Sequence, residues 1–229
     1  MKIGMIVAIR REIDALIRTC GEPLGVDEIP GYRVFRYRIN DNELFVCQSG
    51  AGELSAASTT QLLITKYEVE LIVNFGVCGG LVPEMALNST VVVDRVVHYD
   101  IDTSTVDEGI VPGQYLGNPD IYIRVDEKIL EIAKEAVPGV KFVTCASGDK
   151  FVDGSEKKNE MHEMWNAEIC EMEAAGILIT AKRNSVPALL VKGVSDSVTG
   201  GAEEFGKMVH EAATACFSML LKIIENGKW

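Results

Sequence analysis

KIGMIVAIRREIDALIRT, residues 2–19, changes its period part-way along. Lys2 to Ala8 is a continuous apolar run with one glycine, the pattern of a strand buried on both faces. From Arg10 to Thr19 the apolar residues Ile13, Leu16 and Ile17 fall at helical spacing. A doubly buried strand that passes straight into an amphipathic helix is the opening of an α/β domain.

The alternation continues to the end of the chain. Gly31 to Ile39, the turn residues Asn40-Asp41-Asn42 and Glu43 to Gln48 read as a hairpin. Ser49-Gly50-Ala51-Gly52 is a loop ahead of a helix over 53–66. Leu71 to Asn74 is a buried strand, and Gly76-Val77-Cys78-Gly79-Gly80 reads as the glycine loop that ends it. Thr90 to Val97 is a β-branched strand, and His98 to Gly117 is a long irregular segment of the kind that forms lids or interfaces. Helix over 129–136, strand over 140–146, helix over 156–165, a short strand over 168–170, helix over 173–183 and strand over 187–194 follow. A last helix over 203–225 puts Phe205, Met208, Val209, Ala212, Cys216, Leu220 and Ile223 on one face. No repeat or linker divides the chain, so we expect one α/β domain over 1–229, a central twisted mixed β-sheet flanked by helices.

Composition narrows the function. Of 229 residues 47% are hydrophobic, enough for a core without staples. The apolar runs Leu71–Phe75 and Ala188–Val191 are far shorter than the ~20 residues of a membrane span. The opening run is cut off by Arg10, Arg11 and Glu12, too soon for a signal peptide. The expectation is a cytoplasmic protein with no membrane partner. A net charge of −12 disfavours nucleic acid, and Arg33, Arg36 and Arg38 read as a solvated strand face. The six cysteines show no CxxC pair and read as buried free thiols. His98, His162 and His210 are scattered, so no structural metal site is expected.

Ligands of α/β sheets bind beyond the carboxyl ends of strands. Glu12, Ser49-Gly50, Gly76 to Gly80, Ser147 to Asp149, Glu171 to Glu173 and Ser195-Asp196 all fall at such ends. Each has a plainer reading. A glycine cluster is commonly a tight turn, Asp196 a helix N-cap, and Glu12, Glu171 and Glu173 acidic first-turn residues. Phe151 and Met172 could be packing. Together they describe a carboxylate-rich site for a small molecule.

At these residues the sequence resembles the 5′-methylthioadenosine/S-adenosylhomocysteine nucleosidases of the nucleoside phosphorylase superfamily. MKIGMIVAIRREIDAL (1–16), SGAGELSAA (49–57), NFGVCGGL (74–81), SGDKFVDGS (147–155), EMEAAG (171–176) and VKGVSDS (191–197) stand in the family's order and spacing. The resemblance implies hydrolysis of the N-glycosidic bond of a 5′-modified adenosine, without cofactor or metal, by a homodimer. It implies that Asp196 is the general acid toward purine N7, oriented by Ser195, and that Glu12 holds and deprotonates the water. It gives Glu173, beside Met172, the ribose hydroxyls, Phe151 a stacking face for adenine and Val152 a backbone contact to the purine edge. Val77, Cys78, Gly79, Glu171 and Lys192 complete the implied substrate-binding set. An acid near the base, a base near the water and anions near the sugar cation are what such a cleavage needs. A free aspartate has a pKa of about 3.9, so Asp196 needs a lift of roughly 2–4 units to serve as an acid.

The chain departs from the family pattern at Val77 (usually serine), Lys192 (usually arginine), Val106 (an aromatic that reaches the partner's site) and Ala202 (a second aromatic). A phosphate-dependent phosphorylase is the alternative. Its hexameric members carry arginine and serine where this chain has Asn74 and Val77, and Glu12 would repel phosphate. A non-catalytic nucleoside-binding protein is the third reading, disfavoured because Asp196 and Glu12 are both present. The 5′ group and the pathway stay open at this level.

Overall fold

β1 (Lys2–Val7) and α1 (Arg10–Cys20) form where the change of period puts them. The computed structural model describes residues 1–229. The first half continues as β2 (Gly25–Ile29), β3 (Tyr32–Ile39), β4 (Asn42–Gln48), α2 (Glu53–Tyr67), β5 (Leu71–Gly80) and β6 (Thr90–His98). The second half is β7 (Tyr122–Arg124), α3 (Glu127–Ala136), β8 (Lys141–Ser147), α4 (Ser155–Trp165), β9 (Ile169–Glu171), α5 (Ala174–Arg183), β10 (Ala188–Asp196) and α6 (Ala202–Asn226). It is a single α/β domain with a mixed sheet, as the alternation predicts. No helix is long and apolar enough to cross a membrane.

The strand order is β10-β6-β8-β9-β5-β1-β4-β3-β2, with β7 beside β6. β5 also pairs with β10, so β10, β6, β8, β9 and β5 close into a ring. β1 joins β5 and β4 in parallel, whereas β5–β9 and β6–β10 are antiparallel. The core is a cluster of 48 buried residues built from strand faces and the inner sides of the helices, with Phe75 against Phe217. α1 packs with α6, and α2 with α5.

Two differences from the sequence reading bear on the site. The cluster Gly76 to Gly80 is not a loop: β5 runs through it to Gly80. None of its glycines has a left-handed φ, so a turn does not require them. They admit neighbours instead. A Cβ on Gly76 would stand 2.7 Å from Glu12 Oε1, and one on Gly79 would stand 3.0 Å from Asp196 Oδ2. Likewise, Ser195 and Asp196 lie inside β10, and α6 begins only at Ala202, so Asp196 is not an N-cap. β2 and β7 escaped the sequence reading: β2 alternates intermediate with exposed residues, and β7 is only 3 residues long. Glu173 is the residue before α5 rather than its first turn.

Candidate active site

The carboxyl ends of β1, β5, β8, β9 and β10 converge on one side of the sheet. A cavity of about 220 Å³ opens there. It is lined by Glu12, Val77, Cys78, Gly79, Phe151, Val152, Glu171, Met172, Glu173, Ser195 and Asp196 among others. Of the catalytic and substrate-binding residues that the resemblance implies, only Lys192 does not line it.

Glu12 sits in the first turn of α1, yet its carboxylate does more than cap. Oε2 accepts from the backbone N–H of Ala8 (2.8 Å) and Ile9 (3.0 Å), and Oε1 accepts from Val77 N–H (3.0 Å). The bond to Ile9 is one half of a capping box. The bond to Val77 ties the α1 carboxylate to β5, across the space left by Gly76. Burial pushes the Glu12 carboxyl above its ordinary value, and these N–H donors together with Lys192 pull it back.

Asp196 ends β10. The pairing with β5 slips between Val194 and Asp196, so Ser195 is an extra residue that re-aims the strand end. Asp196 Oδ1 accepts from Ser195 Oγ at 2.9 Å. Oδ2 accepts from Lys158 Nζ at 2.5 Å, with both side chains buried. Burial raises the Asp196 carboxyl, Lys158 and Ser195 lower it, and Glu204 raises it. Nothing in the sequence reading singled out Lys158. The signal it offered was a lysine near the start of a helix that buries only one other residue, Trp165.

Glu171 and Glu173 part company. Glu171 turns into the protein, where its oxygens accept from Lys192 Nζ (2.7 Å), Ser147 Oγ (2.5 Å) and the backbone N–H of Glu173 (3.1 Å) and Ala174 (3.0 and 3.1 Å). Burial works to raise its carboxyl, but Lys192 and these donors hold it below the ordinary value. Lys192, 1% exposed, stands behind Glu171 rather than in the cavity. The substrate contact implied for Lys192 is therefore corrected: its charge is spent on Glu171, which itself lines the cavity.

Glu173 by contrast faces the cavity. Oε1 accepts from Gly52 N–H at 3.0 Å at the start of α2, and Oε2 takes no hydrogen bond from the protein. Burial, and the neighbouring Glu171, push its carboxyl up to about 8. Behind it Glu53 bonds to Ser147 Oγ and Gly176 N–H and is pushed up to about 7, by burial first and then by Glu171. Ser147 thus bridges Glu53 and Glu171 with a single hydroxyl proton.

The apolar part of the cavity is Ala8, Ile9, Ala51, Phe151, Val152, Met172 and Phe205. Phe151 is 46% exposed and packs edge-on against Phe205 at 5.5 Å. The sequence reading gave Phe205 to the core face of α6. It lies instead in the first turn of that helix and lines the cavity. Val106 is 80% exposed on the irregular segment between β6 and β7 and does not reach this cavity.

The family model described as Phosphorylase superfamily matches residues 2–225. An aminodeoxyfutalosine nucleosidase of Campylobacter jejuni is 27% identical over 99% of both chains. A 5′-methylthioadenosine/S-adenosylhomocysteine nucleosidase of Glaesserella parasuis is 30% identical, again over 99% of both. The solved S-adenosylhomocysteine nucleosidase of Streptococcus pyogenes, in complex with 5-methylthiotubericidin, superposes with a TM-score of 0.90 at 27% identity, covering 99% of this chain and 97% of that one.

Proposed function

The chain belongs to the phosphorylase superfamily, and we propose that within it this protein is a nucleosidase that hydrolyses the N-glycosidic bond of a 5′-modified adenosine. One observation carries the choice of water over phosphate. The cavity is lined by four carboxylates, Glu12, Glu171, Glu173 and Asp196, against one lysine, Lys150. That lysine is largely exposed and paired with Asp100 at 2.6 Å. A phosphate dianion would meet carboxyl groups and no free cation, since Lys192 is held by Glu171 and Lys158 by Asp196, whereas a developing sugar cation faces carboxyl oxygens there.

The roles that the resemblance implies fit this geometry. Asp196 protonates N7 of the base, so the C1′–N9 electron pair can leave with the purine. Glu12, fixed by three backbone N–H groups, holds the attacking water and takes its proton. Glu173 offers its unpartnered oxygen to the ribose hydroxyls. Phe151 and Phe205 cover the base, and Val152 reads its edge. Val77 gives its N–H to Glu12, and with Cys78 and Gly79 it forms the cavity wall.

The two kinds of relative differ by name in the nucleoside they cleave, and both names describe a nucleosidase. The test is adenine release from methylthioadenosine, S-adenosylhomocysteine, aminodeoxyfutalosine, 5′-deoxyadenosine and adenosine. Release from the 5′-modified compounds ahead of adenosine supports the reading; release from none of them sinks it. A homodimer belongs to the same proposal. Its support is the exposed Val106, Val111 and Leu116 on the irregular segment between β6 and β7. Sedimentation of only a 25.0 kDa species at micromolar concentration would remove it. A cytoplasmic setting is supported by six unpaired cysteines, five of them buried.

A further inference from the structure

Two fully buried cations touch cavity carboxylates from behind, Lys192 on Glu171 and Lys158 on Asp196, and only Lys158 meets the acid. It comes from the first turn of α4, a helix otherwise polar on nearly every side, and it is 0% exposed. Its Nζ donates to Asp196 Oδ2 at 2.5 Å and to the carbonyl of Ser197 at 2.6 Å. It does not line the cavity, whereas Asp196 does. A lysine is among the costliest side chains to bury, and it stays charged only with a partner. Here α4 brings it to the one carboxylate that has to lose a proton during the reaction.

We propose that Lys158 is the positioning residue of the acid: it fixes the Asp196 carboxyl and stabilises the anion left when the proton passes to the purine. The inference rests on the nucleosidase reading. In the step itself the O–H bond of Asp196 breaks and the N7 lone pair takes the proton. The C1′–N9 electron pair passes into the base, and the charge left on Asp196 is met by an ammonium already in hydrogen-bond contact. Burial alone would keep the proton on Asp196 and make it a poor donor. The ammonium opposes burial, so the acid is matched to its task.

Ser195 fits both states of the carboxyl. Its Oγ lies 2.9 Å from Asp196 Oδ1 and 3.2 Å from the Cys78 carbonyl. Its one proton bonds Asp196 when that group is ionised. It turns to the Cys78 carbonyl when Asp196 is protonated and itself donates. The other ionisable groups around Asp196 are Glu204 on α6, Cys78 on β5 and Cys170 on β9. Burial pushes both thiols up, so neither carries charge at neutral pH. Glu204 is turned to Ser197 N–H at 2.6 Å. Lys158 is therefore the only cation on the acid.

The test compares wild type with Lys158→Met and Lys158→Gln, two neutral replacements of different polarity, so a folding failure in one leaves the other. The pH profile of kcat/KM for adenine release is measured for each. Activity that needs protonated Asp196 falls on the alkaline side. Removing a cation in contact with a carboxyl raises that limb by about one to three pH units, with KM little changed. A uniform loss of kcat with the limb in place overturns the proposal and leaves Lys158 a structural residue. In parallel the Asp196 carboxyl is titrated by 13C NMR in the ligand-free protein, which needs no turnover. If wild type released no adenine, the nucleosidase reading would fail, while an upward move of this titration in the variants would still support the Lys158–Asp196 coupling. An unmoved titration overturns it.

Discussion

Lys192→Met tests the electrostatic frame on which the cavity stands. Lys192 Nζ is 2.7 Å from Glu171 Oε2, and the two side chains are 1% and 2% exposed. Methionine fills similar volume but leaves Glu171 without its cation, beside Glu173 and Glu53, which already repel it. Removing one partner of a buried pair costs about 3–5 kcal/mol. In a chain of this length each kcal/mol lowers the melting midpoint by about 2–4 °C, so the expected drop is roughly 6–20 °C at neutral pH. The pH dependence follows from the direction of the Glu171 shift. Its carboxyl is held below the ordinary value, so its stabilisation is present at neutral pH and fades as pH falls through the folded pKa. In the variant that carboxyl moves up and is neutralised earlier, so the gap between the two proteins narrows toward acid. Calorimetric melts at about pH 7.5 and about pH 5 read both quantities. A midpoint within ~2 °C of wild type at neutral pH would refute the reasoning. An equal drop at both pH values would show lost packing rather than lost charge.

Asp196→Asn and Glu12→Gln should each lower kcat/KM by about 10²–10⁴; calorimetry should find methylthioadenosine binding to Asp196→Asn largely intact, and full turnover in either variant would remove that residue's role. Gly76→Ala places a Cβ 2.7 Å from Glu12 Oε1 and 3.4 Å from its Cδ. The carboxylate must move off Val77 N–H, so a stability loss of about 1–3 kcal/mol should accompany a fall in kcat larger than any rise in KM. Unfolding by urea should show stability declining as pH rises toward the alkaline side. Glu53 and Glu173 are raised from 4.5 to about 7 and about 8, so the native state binds more protons than the unfolded chain across that window. A flat profile there would show that neither carboxyl keeps its proton in the fold.

The fold was legible because its strands are doubly buried and its helices amphipathic, and period alone separates them. What failed to read were elements whose residues serve a neighbour. Gly76 to Gly80 looks like punctuation, but those glycines admit the carboxylates of Glu12 and Asp196 into a continuous strand. The cavity residues Glu12, Glu173 and Asp196 were found because carboxylates at strand ends are conspicuous. Lys158 and Glu53 were missed because each acts through another residue, on helices whose remaining positions follow ordinary surface and core rules. Lys192 was found, but as a substrate contact, because only the folded chain brings its charge onto Glu171.

The claim at the centre is that water, not phosphate, takes the sugar. Methylthioadenosine turned over in phosphate buffer and followed by 31P NMR tests it directly. The account predicts adenine release at a rate indifferent to phosphate and no sugar 1-phosphate signal. A sugar 1-phosphate formed mole for mole with adenine would contradict it, and the reading of Asn74, Val77 and Glu12 would fall with it.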